Sequence, residues 1–153
     1  MLKKTITYED YNGEERTEDL YFNLDKYELS KMEMLTPGGI GGFLDRMAKS
    51  KDYKGIMEFI EDLVRMSYGR KSDDGRKFEK SDEITKDFMA TNAYSELMME
   101  LITGREVAIA AFVEGILPQK LVEQVKLEQA AKEVSEEKKK IAEANGTAER
   151  VMG

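Results

Sequence analysis

The sequence predicts an α+β protein, mainly helical, in which an N-terminal β-hairpin is followed by a helical bundle and a C-terminal charged helix. Three observations carry this. Apolar and polar side chains alternate on either side of Asn12-Gly13, and from Asp25 onward apolar residues recur at i, i+3 and i+4. Beyond Pro118 aromatic residues vanish and charges of both signs intermix. Two regions follow, 1–118 as hairpin plus helical body and 119–153 as a charged helical arm.

The hairpin strands are expected over 3–10 and 16–24, with Ile6, Leu20 and Phe22 on one face and Thr5, Thr7 and Asp19 on the other. Asn-Gly suits the turn because both residues tolerate positive φ. A lone hairpin is marginal in water, so its apolar face must meet helices, another strand or a neighbouring subunit. Asp25 and Glu28 have the spacing of a capping box, opening a helix that ends at Leu35 before Thr36-Pro37-Gly38-Gly39. Gly38, Gly39, Gly41 and Gly42 make the most flexible stretch of the body, with a short helix over 43–49 after them.

The clearest helix spans 53–68, where Tyr53, Ile56, Met57, Ile60, Leu63, Val64 and Ser67 share a face and Gly69 serves as C-cap. A charged loop over 70–76 leads to a short strand at 77–79. Ser81 caps a helix through Met89, and Thr91 or Asn92 caps the next, through Thr103. Gly104 ends that helix. Residues 105–117 contain the apolar run from Val107 to Val113 and should form the central buried helix, closed by Pro118. The arm is helical over 119–144, with Leu127, Val134 and Ile141 recurring every seven residues. It reads either as a solvated single helix or as a partner-binding coiled-coil arm, and the residues from Asn145 onward should be disordered.

Composition bounds the chemistry. The chain has 153 residues, 24 Lys or Arg and 31 Asp or Glu, for a formal charge of −7, and no Cys, His or Trp. The arm holds seven residues of each sign, so the whole negative balance belongs to the body. A nucleic-acid clamp needs a basic excess. Disulfides, Cys/His zinc sites and imidazole-based nucleophile pairs have no residues to build them. The start carries no apolar core of signal-peptide type, and no apolar run approaches the roughly 20 residues of a membrane span. A soluble cytosolic protein of one modest core is expected.

No motif points to catalysis, cofactor or metal. Asp73-Asp74 and Asp82-Glu83 lack an apolar setting to shift a pKa, and Asp73-Asp74-Gly75 lacks the alternating ligands of a calcium loop. The Gly38 to Gly42 segment follows a helix rather than a strand and has no Gly-Lys-Ser/Thr, so it reads as a hinge or close-packing loop. Arg70, Lys71, Arg76, Lys77 and Lys80 are interleaved with acidic residues and read as a solvated loop or a protein contact. Ten Met residues are the more suggestive feature. Met57, Met66, Met89, Met98 and Met99 lie on helix faces, either as core or as an adaptable binding groove, and Met98 and Met99 cannot both point inward. Candidate partner-binding residues are thus Met57, Met66, Met98 and Met99 in the body and Leu127, Val134 and Ile141 in the arm.

The segments 5–24 (TITYEDYNGEERTEDLYFNL), 67–78 (SYGRKSDDGRKF), 93–101 (AYSELMMEL) and 112–118 (FVEGILP) resemble, in this order, tail assembly chaperones of long-tailed (siphovirus-type) phages and prophages of Gram-positive bacteria. The resemblance covers 1–118. It implies a non-enzymatic late protein of viral morphogenesis that binds the tape measure protein in the host cytoplasm and keeps it soluble until tail tube subunits polymerise around it. It further implies contacts with the tail tube protein and a frameshifted longer form of itself, and absence from the mature virion. The residues themselves suggest an apolar groove on the Met-bearing helices from Tyr53 to Ile102 and a homo-oligomer formed through the hairpin edge or the C-terminal helix. Lys138-Lys139-Lys140 fits either an A-rich slippery stretch or an ordinary basic turn of helix beside Glu136 and Glu137. The competing expectation is a structural tail protein, a tube-completion or connector subunit retained in the virion.

Overall fold

The computed structural model describes residues 1–152, without the side chains of 44, 48, 120–122, 124–126, 128, 129 and 146–152. The elements in chain order are β1 (Leu2–Glu9), β2 (Glu15–Phe22), α1 (Lys26–Leu35), α2 (Gly39–Ser50), α3 (Tyr53–Ser67), β3 (Tyr68–Lys71), β4 (Phe78–Glu79), α4 (Asp82–Met89), α5 (Asn92–Ile116) and α6 (Gln119–Met152). The chain divides into two compact units, Met1–Pro118 and Gln119–Gly153. The α+β, mainly helical class is as expected.

The strands form an antiparallel sheet in the order β1-β2-β3-β4. β1 and β2 pair from Leu2 opposite Phe22 to Glu9 opposite Glu15. The connecting loop is longer than a two-residue turn. The Asp10 N–H donates to the Glu14 carbonyl and the Gly13 N–H to the Asp10 carbonyl, and Gly13, not Asn12, has positive φ (80°). The Asp10 carboxylate organises this loop by accepting from the N–H groups of Asn12 and Glu14 and from Arg16 Nε at 2.7 Å. Asn12 therefore contributes no left-handed residue, unlike the turn expected from the dipeptide alone.

The inner hairpin face, Ile6, Tyr8, Leu20 and Phe22, is buried against helices. Phe22 is the hub. Its ring lies 5.6 Å from Tyr68, 5.9 Å from Phe88 and 5.4 Å from Phe112, while Tyr68 and Phe88 stack at 4.1 Å. Each such ring pair adds about 1 kcal/mol beyond simple area burial. The cluster ties β2, β3, α4 and α5 together. Backbone groups close it: the Leu24 N–H donates to the Ile116 carbonyl and the Asn23 N–H to the Ser67 carbonyl, giving partners to carbonyls at the ends of α5 and α3.

Further expectations are corrected. First, Gly69 is not a helix cap. Tyr68 is already extended, and Gly69 lies in β3 opposite Tyr21. A Cβ on Gly69 would stand 2.5 Å from the Phe78 ring, so close packing explains this glycine, not left-handed backbone. Second, the glycine-rich stretch is not a loop. α2 begins at Gly39, and Gly41 and Gly42 are helical. Gly38 and Gly39 supply the positive φ (75° and 76°), the Glu33 carboxylate accepts from the Ile40 N–H, and Arg46 reaches back to the Pro37 carbonyl.

Third, the apolar run from Val107 to Val113 does not form a helix buried all round. α5 buries Phe112 and Ile116 in its second half, whereas Val107 is 82% exposed and Ala110 and Ala111 are exposed. The body has too few elements to surround this helix, so one face packs on the hairpin and the other stays open. The division expected at Gly104 is present as a bend: Arg105 has φ 52° and ψ −142° between two helical segments. Within the second unit, α6 continues through Asn145 and Gly146 to Met152, beyond the expected end at Ala144. A helical Gly costs only about 1 kcal/mol, which flanking alanines and glutamates help offset.

Candidate partner interface

The capping box of α1 forms as the sequence requires. The Asp25 carboxylate accepts from the Glu28 N–H at 2.8 Å, and the Glu28 carboxylate accepts from the Asp25 N–H at 3.2 Å. Yet α1 contains no buried residue. Its Met32 is half-buried against the core, while Met34 and Leu35 are exposed. Together with Met32, Lys80 ties α1 to the body. Its Nζ donates to the Asn23 carbonyl and to Glu28 Oε2, both at 2.7 Å, and lies 5.6 Å from the Phe78 ring centre.

This arrangement leaves two clefts that share Met66. The first, about 360 Å³, runs along α1 and is lined by Leu24, Glu28, Lys31, Met32, Leu35 and Thr36 with Met66. The second, about 590 Å³, lies between the end of α3 and the start of α4 and is lined by Arg65, Lys80, Ser81, Asp82, Thr85, Lys86 and Met89 with Met66. Ser81 opens α4 by accepting from the Ile84 N–H at 3.1 Å, which sets Thr85 and Met89 one and two turns along the helix. The trough formed by the two clefts carries Met32, Met66 and Met89, and the second cleft is lined by Arg65, Lys80 and Lys86 against Asp82, with Arg65 also paired to Asp62 and Lys80 to Glu28.

The residues singled out in the sequence separate. Met66 is 41% exposed and sits at the junction of the two clefts. Met57 is half-buried against the core, and Met98, only 8% exposed, is a core residue that lines no surface. Its neighbour Met99 is 54% exposed, so one of the pair does face outward. Leu127, Val134 and Ile141 are all exposed on α6. Met32 and Leu35, which with the buried Leu24 wall the first cleft, escaped sequence reading because α1 has no strong apolar stripe. Met89 was visible as a helix-face methionine, but its cleft depends on the approach of α3 to α4.

The basic loop is largely consumed internally. Arg70 pairs with Asp87 at 2.7 Å, Lys71 lies 5.1 Å from the Tyr21 ring centre, and Lys80 anchors α1. The Asp74 carboxylate accepts from Ser72 Oγ at 2.7 Å and from the Arg76 N–H at 3.0 Å, which holds its pKa below the usual value. These contacts define a structured turn. Burial raises the phenol pKa values of Tyr8, Tyr68 and Tyr94 further above their ordinary, already alkaline value. Among the described residues no helix is long and apolar enough to cross a membrane.

A family model described as "Phage tail assembly chaperone" matches residues 1–151. No curated protein and no solved structure matches the chain.

Proposed function

Since the chain belongs to the phage tail assembly chaperone family, we propose that it binds the tape measure protein in the host cytoplasm and keeps it soluble until tail tube subunits polymerise around it. The observation that carries this reading is the trough centred on Met66. Flexible, polarizable methionines at 66, 32 and 89 present apolar surface that can repack against different helical segments of a long client. Lys86, and Arg65 and Lys80 once exchanged from their own carboxylates, suit amphipathic helices whose apolar stripe is flanked by Asp or Glu. Many copies along one client would bind by avidity, so each contact can be weak.

The reading needs no chemical step by this chain. Client exchange requires only that tube subunits compete for the same apolar stripe as they polymerise. A chaperone used in this way leaves before the particle is complete, and mass spectrometry of purified virions should not find it. Recovery of the chain in stoichiometric amounts from virions would favour a structural tail subunit instead. The direct test is pull-down of the tape measure protein with wild-type chain and with Met66→Asp. Binding by the former and not the latter is expected.

A further inference from the structure

We propose that two copies of this chain join edge to edge through β1, in antiparallel register about Ile6, to make one continuous sheet. β1 is eight residues long, stands at the outer edge of the sheet, and exposes Lys3, Thr5, Thr7 and Glu9. Long unpaired edges invite pairing unless blunted by Pro, bulges or unneutralised inward charges. β1 has no Pro, and its inward-facing Lys4 is neutralised by Glu100 of α5.

The backbone leaves one set of registers open. The Asp10 N–H to Glu14 carbonyl bond continues the β1–β2 ladder, so even-numbered residues of β1 direct their N–H and C=O groups toward β2. Odd-numbered residues direct theirs outward, as the Glu9 carbonyl does in accepting from Asn92 Nδ2 at 2.9 Å; in the dimer the N–H of Lys3 from the second copy shares this carbonyl, which has two lone pairs, or displaces Asn92. Odd must therefore pair with odd in the second copy.

Among those registers, the one centred on Ile6 places Lys3 opposite Glu9 of the second copy, and Glu9 opposite its Lys3, with Thr5 opposite Thr7 in both directions. Shifting the pairing by two residues in either direction sets Lys3 opposite Thr7 or Glu9 opposite Thr5. The inner face stays continuous, with Ile6 beside Ile6. The strand is thus self-complementary in charge as well as in hydrogen bonding, which favours a second copy over an unrelated peptide.

A separate observation agrees. α5 packs over β1, with Gly115 against Leu2 and with Ala108 and Ala111 lining a cleft of about 120 Å³ beside Leu2 and Lys4. Val107, one helical turn before Ala111, is 82% exposed. A two-fold through the β1 edges brings the Ala111 sides of the two α5 helices toward each other.

The test is the mass of the full chain by light scattering over a concentration series, with no client present. Wild type is expected to dimerise. Glu9→Lys alone should weaken the dimer about tenfold, because it reverses two symmetric cross-strand pairs, and Lys3→Glu should weaken it at least as much, since it also sets a carboxylate beside Asp19 of its own chain. The double variant Lys3→Glu/Glu9→Lys should restore it. Thr5→Pro removes an outward N–H while sparing the β2 ladder, and should leave a folded monomer by circular dichroism. Because the chain lacks Cys, mixed Thr5→Cys and Thr7→Cys proteins should cross-link to each other faster than either does to itself. A monomer at every concentration up to about 1 mM, a dimer indifferent to Thr5→Pro, or equal cross-linking of all combinations would overturn the proposal.

Discussion

Lys80 Nζ lies 2.7 Å from Glu28 Oε2, joining residues 52 positions apart and fixing α1, a helix with no buried residue of its own, against the segment that leads into α4. The same ammonium group occupies the Asn23 carbonyl. This partly buried ion pair, with Met32 packed on the core, helps set the shape of the trough. Lys80→Ala should destabilise the body by only about 1 kcal/mol, since both partners keep some access to solvent. Its effect on client affinity should be larger than that of Lys77→Ala, an exposed neighbour with no such bridge. Urea unfolding and pull-down of the tape measure protein check the two halves of this expectation.

The adjacent methionines separate packing from surface. Met98→Ala should cost about 2 to 5 kcal/mol, as expected for truncating a core side chain. Met99→Ala should change stability by less than about 0.5 kcal/mol. Chemical unfolding of the two single variants measures the difference directly, and equal costs would contradict the placement of α5.

Gly69→Ala should destabilise by about 1 to 3 kcal/mol, because the added methyl meets the Phe78 ring and the Glu79 carbonyl. Phe78→Leu in the same chain should recover part of that loss. Were Gly69 a left-handed helix cap instead, Phe78→Leu would recover none.

Acid sensitivity should come from the hairpin and the 72–77 turn. Hydrogen bonds from Arg16 and the Glu14 and Asn12 N–H groups lower the pKa of Asp10, the Thr5 hydroxyl and Lys3 lower that of Asp19, and the Ser72 hydroxyl and Arg76 N–H lower that of Asp74. Depressed folded-state values mean that the unfolded chain takes up protons first. The stabilisation is present above the ordinary value of 3.8 and is lost as pH falls below it through the folded-state values. Urea midpoints should be flat from neutrality to about pH 5 as far as these groups are concerned, and then drop. Asp10→Asn should lessen the drop.

Much of this architecture was legible where a local rule sufficed. Asp25 with Glu28, Ser81 before α4, and the alternation of Ile6, Leu20 and Phe22 each announced their elements. β3 was not legible, since Tyr68-Gly69-Arg70-Lys71 has no alternation and becomes a strand only by pairing with Tyr21, Phe22, Phe78 and Glu79. Gly41 and Gly42 read as breakers because the Glu33 and Arg46 contacts that support α2 cannot be seen in composition. The Val107 to Val113 run suggested a buried helix, but apolarity reports only what could be buried, not whether enough structure surrounds it. Met66 was named from helical spacing, whereas the trough around it rests in part on the Lys80–Glu28 contact across the chain.

The most direct measurement is the solubility of the tape measure protein on co-expression with wild-type chain, with Met66→Asp, and alone. The account predicts soluble tape measure protein with wild type and largely insoluble protein with Met66→Asp or alone, the variant itself remaining folded. Equal solubility in all three would contradict it.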